Sequence, residues 1–206
     1  IHIELNKRGI TKGDLAFWDI ITSNGGKRPI CFSSVADVEE QGLRNNLIFD
    51  GLVYRLTDQK TDSNSIIDIG KIDSESLYTK LMRTCKWDNL ANPKVYFDWH
   101  HRRMFASMQI RNAFYRLAGQ LTEEKHDVKA LEVLKKSEQV MPLRNWPADY
   151  QSILQAALYN RIGKKKLGQT KFRELANSME QGLAYFSAFA PNQKGTILEE
   201  ASYQLS

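Results

Sequence analysis

Cysteine is scarce: Cys31 and Cys85 are the only two in 206 residues, which leaves one conceivable intramolecular disulfide and no CxxC or Cys/His spacing of the kind that holds zinc. The chain is expected to fold without staples. Cys31 lies in the apolar run Pro29-Ile30-Cys31-Phe32, where a buried free thiol is expected. Long hydrophobic runs are absent as well. No stretch of about 18 apolar residues occurs, so no segment reads as a membrane span. The chain also has no initiator methionine and no signal-peptide pattern, and is expected to be a piece cut from a longer protein. A large surplus of one charge is missing too. Lys and Arg number 29 against 24 Asp and Glu, a formal net charge of +5, and the two signs are interspersed. That argues against a nucleic-acid binder. The dense cluster Lys164-Lys165-Lys166 reads as a solvated turn between helices.

Catalytic signatures are likewise lacking. There is no GxSxG, HExxH, GxxxxGK[ST] or GxGxxG sequence, and no serine has a neighbouring histidine to activate it. Asp98, His100 and His101 are the tempting cluster, but adjacent histidines on a helix point about 100° apart and cannot share one metal. A capped, exposed helix start explains them. The expectation is no metal, no cofactor and no catalytic residue in this chain.

What is present is architecture. Apolar residues make up 42% of the chain, enough to bury a substantial core in one large domain or two small ones. Leu15, Phe17, Trp18, Ile20 and Ile21 predict a short helix from Asp14 to Ile21, stopped by Asn24-Gly25-Gly26. Arg28–Ser33 and the alternating Leu52–Leu56 predict two strands paired in one small sheet, and Thr57–Ser65 an exposed loop. A helix capped by Asp73 or Ser74 follows, with Leu77, Leu81 and Met82 inward. Trp87, Pro93, Tyr96, Phe97 and Trp99 then form an aromatic connection that reads as the seam between two halves.

Beyond it the pattern becomes helical. Ile110, Phe114, Leu117 and Leu121 form a stripe at spacings of four, three and four. Asp127 is a candidate cap for a second helix carrying Val128, Leu131, Leu134 and Val140, stopped by Pro142. Phe114-x2-Leu117-Ala118-x2-Leu121, Ala130-x3-Leu134 and Pro142 follow the tetratricopeptide pattern, with Ala118 and Ala130 allowing close helix approach. A degenerate second hairpin places Tyr150, Ile153, Leu154, Ala157 and Leu158 on one buried face, then Phe172, Leu175, Ala176, Met179, Leu183 and Phe186. Gly163 divides its helices, and 195–205 reads as a terminal capping helix. The fold class is α+β: a small α/β subdomain over 1–98, then an all-α subdomain of tetratricopeptide-like hairpins over 99–206.

Certain residues resemble a known family. Trp18-Asp19-Ile20-Ile21, Asn24, Lys27-Arg28-Pro29-Ile30 and Phe32, then Gly51–Leu56, Lys86-Trp87, Tyr96, Asp98, Arg103-Met104, Leu117-Ala118 and Met141-Pro142 are similar to the C-terminal soluble region of a Bacteroidetes family. Its members are multi-pass membrane proteins of unknown function related to protein O-mannosyltransferases. Gly26 and Cys31 depart from the aromatic residues usual there. The resemblance implies a parent with membrane helices and a catalytic carboxylate outside this chain, and a location on the periplasmic side. It also implies a role in recognising a protein acceptor or partner, with no catalytic residue carried over. The candidate binding residues are Asn24, Lys27, Arg28, Tyr54, Asp98 and Arg103. The alternative is a carbohydrate-binding or enzymatic site between the halves, near Asn24, Arg28, Tyr54 and Asp98, with a glycan as ligand.

Overall fold

The computed structural model describes residues 9–24, 26–35, 38, 40–61, 69–98, 109–146, 148–149 and 151–187. It is α+β, with a small antiparallel sheet near the N-terminus followed by helices. The chain divides into two compact units, 1–77 and 78–206.

In the first unit, helix α1 spans Lys12–Asn24. Thr11 and Asp14 cap it reciprocally: the Asp14 amide donates to Thr11 Oγ1 at 3.2 Å, and the Thr11 amide and hydroxyl each donate to Asp14 Oδ2 at 2.8 Å. Asp14 is buried, and its other oxygen accepts from Gln41 Nε2 while Gln41 Oε1 accepts the Trp18 indole N–H at 2.8 Å. This network fixes the rotation of α1. Phe17, Trp18 and Ile21 pack on a core of Val38, Leu43, Leu47 and Ile69, whereas Leu15 and Ile20, expected inside, are 62% and 55% exposed.

Strands β1 (Cys31–Phe32), β2 (Leu47–Phe49) and β3 (Tyr54–Leu56) form a sheet of order β1-β3-β2, both pairs antiparallel. The expected pairing of the first and last strands holds, with Cys31 opposite Arg55 and Phe32 opposite Tyr54. The sequence reading missed β2, a run too short for alternation to register. Cys31 is free and exposed rather than buried, since alternation on β1 turns Phe32 inward and its neighbour outward. Thr61, expected in an exposed loop, is buried, its hydroxyl donating to the Asn45 carbonyl at 3.0 Å and to that of Leu47 at 3.3 Å.

Helix α2 (Ser74–Thr79) starts under Asp73, whose Oδ1 accepts the Ser76 amide at 3.1 Å, and widens into π turns across Lys80–Thr84. Leu77 and Leu81 are buried as expected. The unit boundary falls at Leu77 and Tyr78, earlier than the change of subdomain expected near residue 98. The segment after it is tied into the helical unit. Trp87 packs on Phe114 with ring centroids 5.4 Å apart, Phe97 packs on Trp146 at 4.7 Å, and the Trp146 indole N–H donates to the Leu90 carbonyl at 2.8 Å. Tyr96 is exposed, and Trp99 lies outside the described residues.

Helices α3 (Asn112–Glu123) and α4 (Asp127–Val140) make the first hairpin. Ile110, Phe114, Leu117 and Leu121 are buried, and Ala118 and Ala130 have no accessible surface, as close helix approach requires. Asp127 does not cap α4 with its side chain: the cap position is His126, and Asp127 sits in the first turn, where its charge favours the helix dipole. Val128 points outward, 74% exposed.

Helices α5 (Gln151–Arg161) and α6 (Lys165–Ser187) make the second hairpin, and α5 also packs on α3. Gly163, at φ +76°, ends α5, its amide donating to the Asn160 carbonyl at 3.1 Å. Lys164, Lys165 and Lys166 are exposed as expected, but only Lys164 lies between the helices; Lys165 and Lys166 open α6. The face of α5 differs from expectation. Gln151, Ser152, Gln155, Ala156, Leu158 and Tyr159 are buried, while Ile153 and Leu154 are 44% and 50% exposed. Tyr150 and the expected helix at 195–205 lie outside the described residues.

Candidate functional site

The polar face of α5 borders a cavity of about 230 Å³ within the helical unit. Arg111 and Tyr115 reach it from the start of α3, Ser137 and Glu138 from the end of α4, Ser152 and Gln155 from α5, and Lys171 from α6. Met141, Pro142 and Leu143 supply an apolar wall. Pro142 ends α4, and its carbonyl accepts the amides of Asn145 and Trp146 at 3.0 Å each, which turns the chain toward α5.

Asp149 does two jobs. Its Oδ1 accepts the Ser152 amide at 3.2 Å, capping α5, and its Oδ2 accepts Arg111 Nη1 at 2.9 Å. The other Arg111 nitrogen, Nη2, donates to the Trp146 carbonyl. The Arg111 side chain is nearly buried, so this is a pair whose breakage leaves a charge in a poorly solvated place.

On the opposite side Glu138 Oε1 collects three donors: Tyr159 Oη at 2.7 Å, Gln155 Nε2 at 3.0 Å and Lys171 Nζ at 3.4 Å. Lys171 also donates to Glu174 Oε2 at 2.8 Å. Burial pushes the Lys171 ammonium toward deprotonation, but its hydrogen bond to Glu174 and the charges of Glu138 and Glu174 outweigh it, and the net shift is upward. Burial raises the Tyr115 phenol to about 12, against the nearby Arg111 charge. Tyr159 is raised further, by burial first and then by its bond to Glu138. At neutral pH the two phenols and the lysine are thus held in their protonated forms, as hydrogen-bond donors.

Of the residues picked from sequence, none that the structure describes lines this cavity. Asn24 ends α1, its Nδ2 donating to the Ile20 carbonyl at 2.6 Å, and its carbonyl accepts the Lys27 amide at 2.6 Å. Lys27 and Arg28 are exposed on the turn that follows, where Gly26 takes φ +78°. Tyr54 packs on Phe49, ring centroids 5.2 Å apart, and on the core of the first unit. Asp98 is half-buried in the second unit, and Arg103, His100 and His101 lie outside the described residues. Among the described residues no group of three His, Cys, Asp or Glu is placed to hold a metal, and no helix is long and apolar enough to cross a membrane. Sequence reasoning missed Arg111, Glu138 and Lys171. The signal that points to them is the stripe Gln151, Ser152, Gln155, Tyr159, whose spacings of one, three and four put polar groups on one helix face.

Residues 1–76 match the family model of TMEM260-associated domain 2. The match covers the first compact unit and ends at the boundary with the helical one. No curated protein and no solved structure matches the chain.

Proposed function

We propose that the chain is a non-catalytic accessory domain of a multi-pass membrane protein related to protein O-mannosyltransferases, and that its helical unit recognises a protein acceptor or partner. In this reading the parent belongs to a Bacteroidetes family, its membrane helices and catalytic carboxylate lie elsewhere in it, and this part faces the periplasm. The hairpins act as tetratricopeptide-like repeats, the second of them degenerate. The match of residues 1–76 to a TMEM260-associated domain supports the family setting.

One observation supports the binding role: Lys171, Tyr115 and Tyr159 at the cavity are each shifted away from neutrality rather than toward it. A general acid or base works best with a pKa near the working pH. Here Lys171 is shifted up between two carboxylates, and Tyr115 and Tyr159 are shifted up by burial. Such groups bind and orient.

The test is capture from cell-envelope extract by the purified chain, compared with the variant Ile153→Lys/Leu154→Glu on the exposed face of α5. The expected outcome is a specific protein retained by the native chain and lost with the variant, and no transfer from lipid-linked sugar donors by the chain alone. Turnover that disappears on changing one polar residue would overturn the reading.

A further inference from the structure

The charged groups that line the cavity are already paired, Arg111 with Asp149 at 2.9 Å, and Lys171 with Glu138 at 3.4 Å and Glu174 at 2.8 Å. An ion of either sign would compete with a pair already made. What stays open is hydrogen-bonding capacity at one corner. Gln155 and Lys171 both approach Glu138 Oε1, so three polar heads meet at a single oxygen. Glu138 Oε2 and Gln155 Oε1 accept no bond from the described residues, while one N–H of Gln155 and one of Lys171 have no acceptor among them. Gln155 is buried, so its open groups face the cavity. That makes two acceptors and two donors. An anion only accepts and a cation only donates, so each would leave half of these groups unmet. A hexose brings more hydroxyls than remain to be matched, because Arg111 is bonded to Asp149 and Trp146, Ser152 to Asp149 and Tyr115 to Ser137. At about 230 Å³ the space is smaller than the roughly 300–1,000 Å³ of a ligand pocket and suits one side chain.

We propose that this cavity takes the primary carboxamide of a glutamine or asparagine side chain from a protein partner. A carboxamide is neutral and carries two N–H donors and one oxygen with two lone pairs. Its N–H groups reach Glu138 Oε2 and Gln155 Oε1, its oxygen accepts from Gln155 and Lys171, and its methylenes lie along Met141, Pro142 and Leu143. Every open position at that corner is then filled without changing the charge of the site. The assignment rests on the protein-binding role proposed above and names the chemistry that role reads.

The experiment is an NMR titration of the whole chain with Nα-acetyl-glutamine methylamide and its asparagine counterpart. The glutamate, lysine and norleucine analogues and methyl hexopyranoside serve as comparison probes. A carboxamide should shift the Gln155 side-chain amide saturably, with a Kd on the order of millimolar. Whichever of the two binds more tightly names the source of the carboxamide. Glu138→Gln puts an N–H where Oε2 accepts and removes one negative charge. It should weaken the carboxamide about ten- to a hundredfold, the usual worth of a hydrogen bond to a charged group, and tighten the glutamate analogue. A reversed preference between two ligands cannot arise from misfolding. The proposal falls if neither carboxamide moves cavity resonances, if any comparison probe binds the native chain as tightly, or if Glu138→Gln keeps the native order of preference. Capture of an envelope protein by both the native chain and Glu138→Gln would sink this inference and leave the accessory role standing; no capture by any form would sink both.

Discussion

Gly168 shows how one hydrogen can set a helix contact. A Cβ there would stand 2.9 Å from the Ala156 carbonyl oxygen and 2.3 Å from Asn160 Oδ1. The amide can rotate away, but the carbonyl belongs to the backbone of α5, so the two helices must separate. Gly168→Ala should destabilise the chain by about 1–3 kcal/mol, although alanine is the better helix former. Gly119 is the control: its Cβ would meet only Leu158 Cδ2, at 3.8 Å. Gly119→Ala should stabilise by about 0.5–1 kcal/mol. Urea unfolding of the pair, with shifts of opposite sign, checks the contact. The buried phenols give a second expectation. Tyr115 ionises at 10.0 in the unfolded chain and at about 12 in the folded one, and Tyr159 is shifted the same way. Above pH 10 the unfolded chain releases protons that the folded chain keeps, so stability is full below that point and is lost as pH rises through the folded values. Phenolate absorbance should therefore show Tyr115 and Tyr159 titrating only as the helical signal collapses. Both ionising before unfolding would contradict their burial.

At the scale of elements, α5 separates what a pattern can reveal from what packing decides. Read as an apolar stripe, Ile153, Leu154 and Leu158 belong inside; in the fold Leu158 is buried while Ile153 and Leu154 are exposed, and Gln151, Ser152, Gln155 and Tyr159 take the inner face. Buried polar groups are tolerated where they find partners: Asp149 serves Ser152, and Glu138 serves Gln155 and Tyr159. Ile153→Lys/Leu154→Glu should thus change stability by less than about 0.5 kcal/mol, whereas Gln155→Leu, apolar and of similar size, should cost about 1–2 kcal/mol by removing a donor from Glu138. Thermal unfolding decides, and the reverse ranking would restore the apolar-face reading. The first hairpin was legible because its core is apolar and its period unbroken: Phe114, Leu117, Ala118, Leu121, Ala130 and Leu134 are all buried. The cavity was not legible. Arg111, Glu138, Asp149 and Lys171 come from four segments, and their sequence separations carry no trace of the ion pairs that join them. On α1, likewise, the pattern found the helix, but the Asp14–Gln41–Trp18 network, 27 residues from end to end, chose which side faces the core.

For the whole molecule, the coincidence of the family match over 1–76 with the compact unit over 1–77 marks the first unit as a module with its own core. That core is modest: Val38, Leu43, Leu47 and Ile69 with partly buried aromatics around them, under strands of two or three residues. The second unit buries two helical hairpins in which Phe114, Leu117, Leu121, Leu134 and Tyr159 have almost no accessible surface. Small units bury a smaller fraction of their chain and are less stable, and units with separate cores need not unfold in one step. The first unit should therefore melt at lower urea. Trp18 donates to Gln41 in the first unit, and Trp146 donates to Leu90 in the second, so the two indoles report separately. Variants that keep only Trp18 or only Trp146, the other tryptophans replaced by phenylalanine, should give fluorescence transitions with distinct midpoints, Trp18 first. The far-UV helical signal should follow Trp146, because α3 to α6 hold most of the described helix. Coincident transitions for both indoles and the helical signal would mean a single cooperative unit, and the module boundary at residue 77 would lose its energetic meaning.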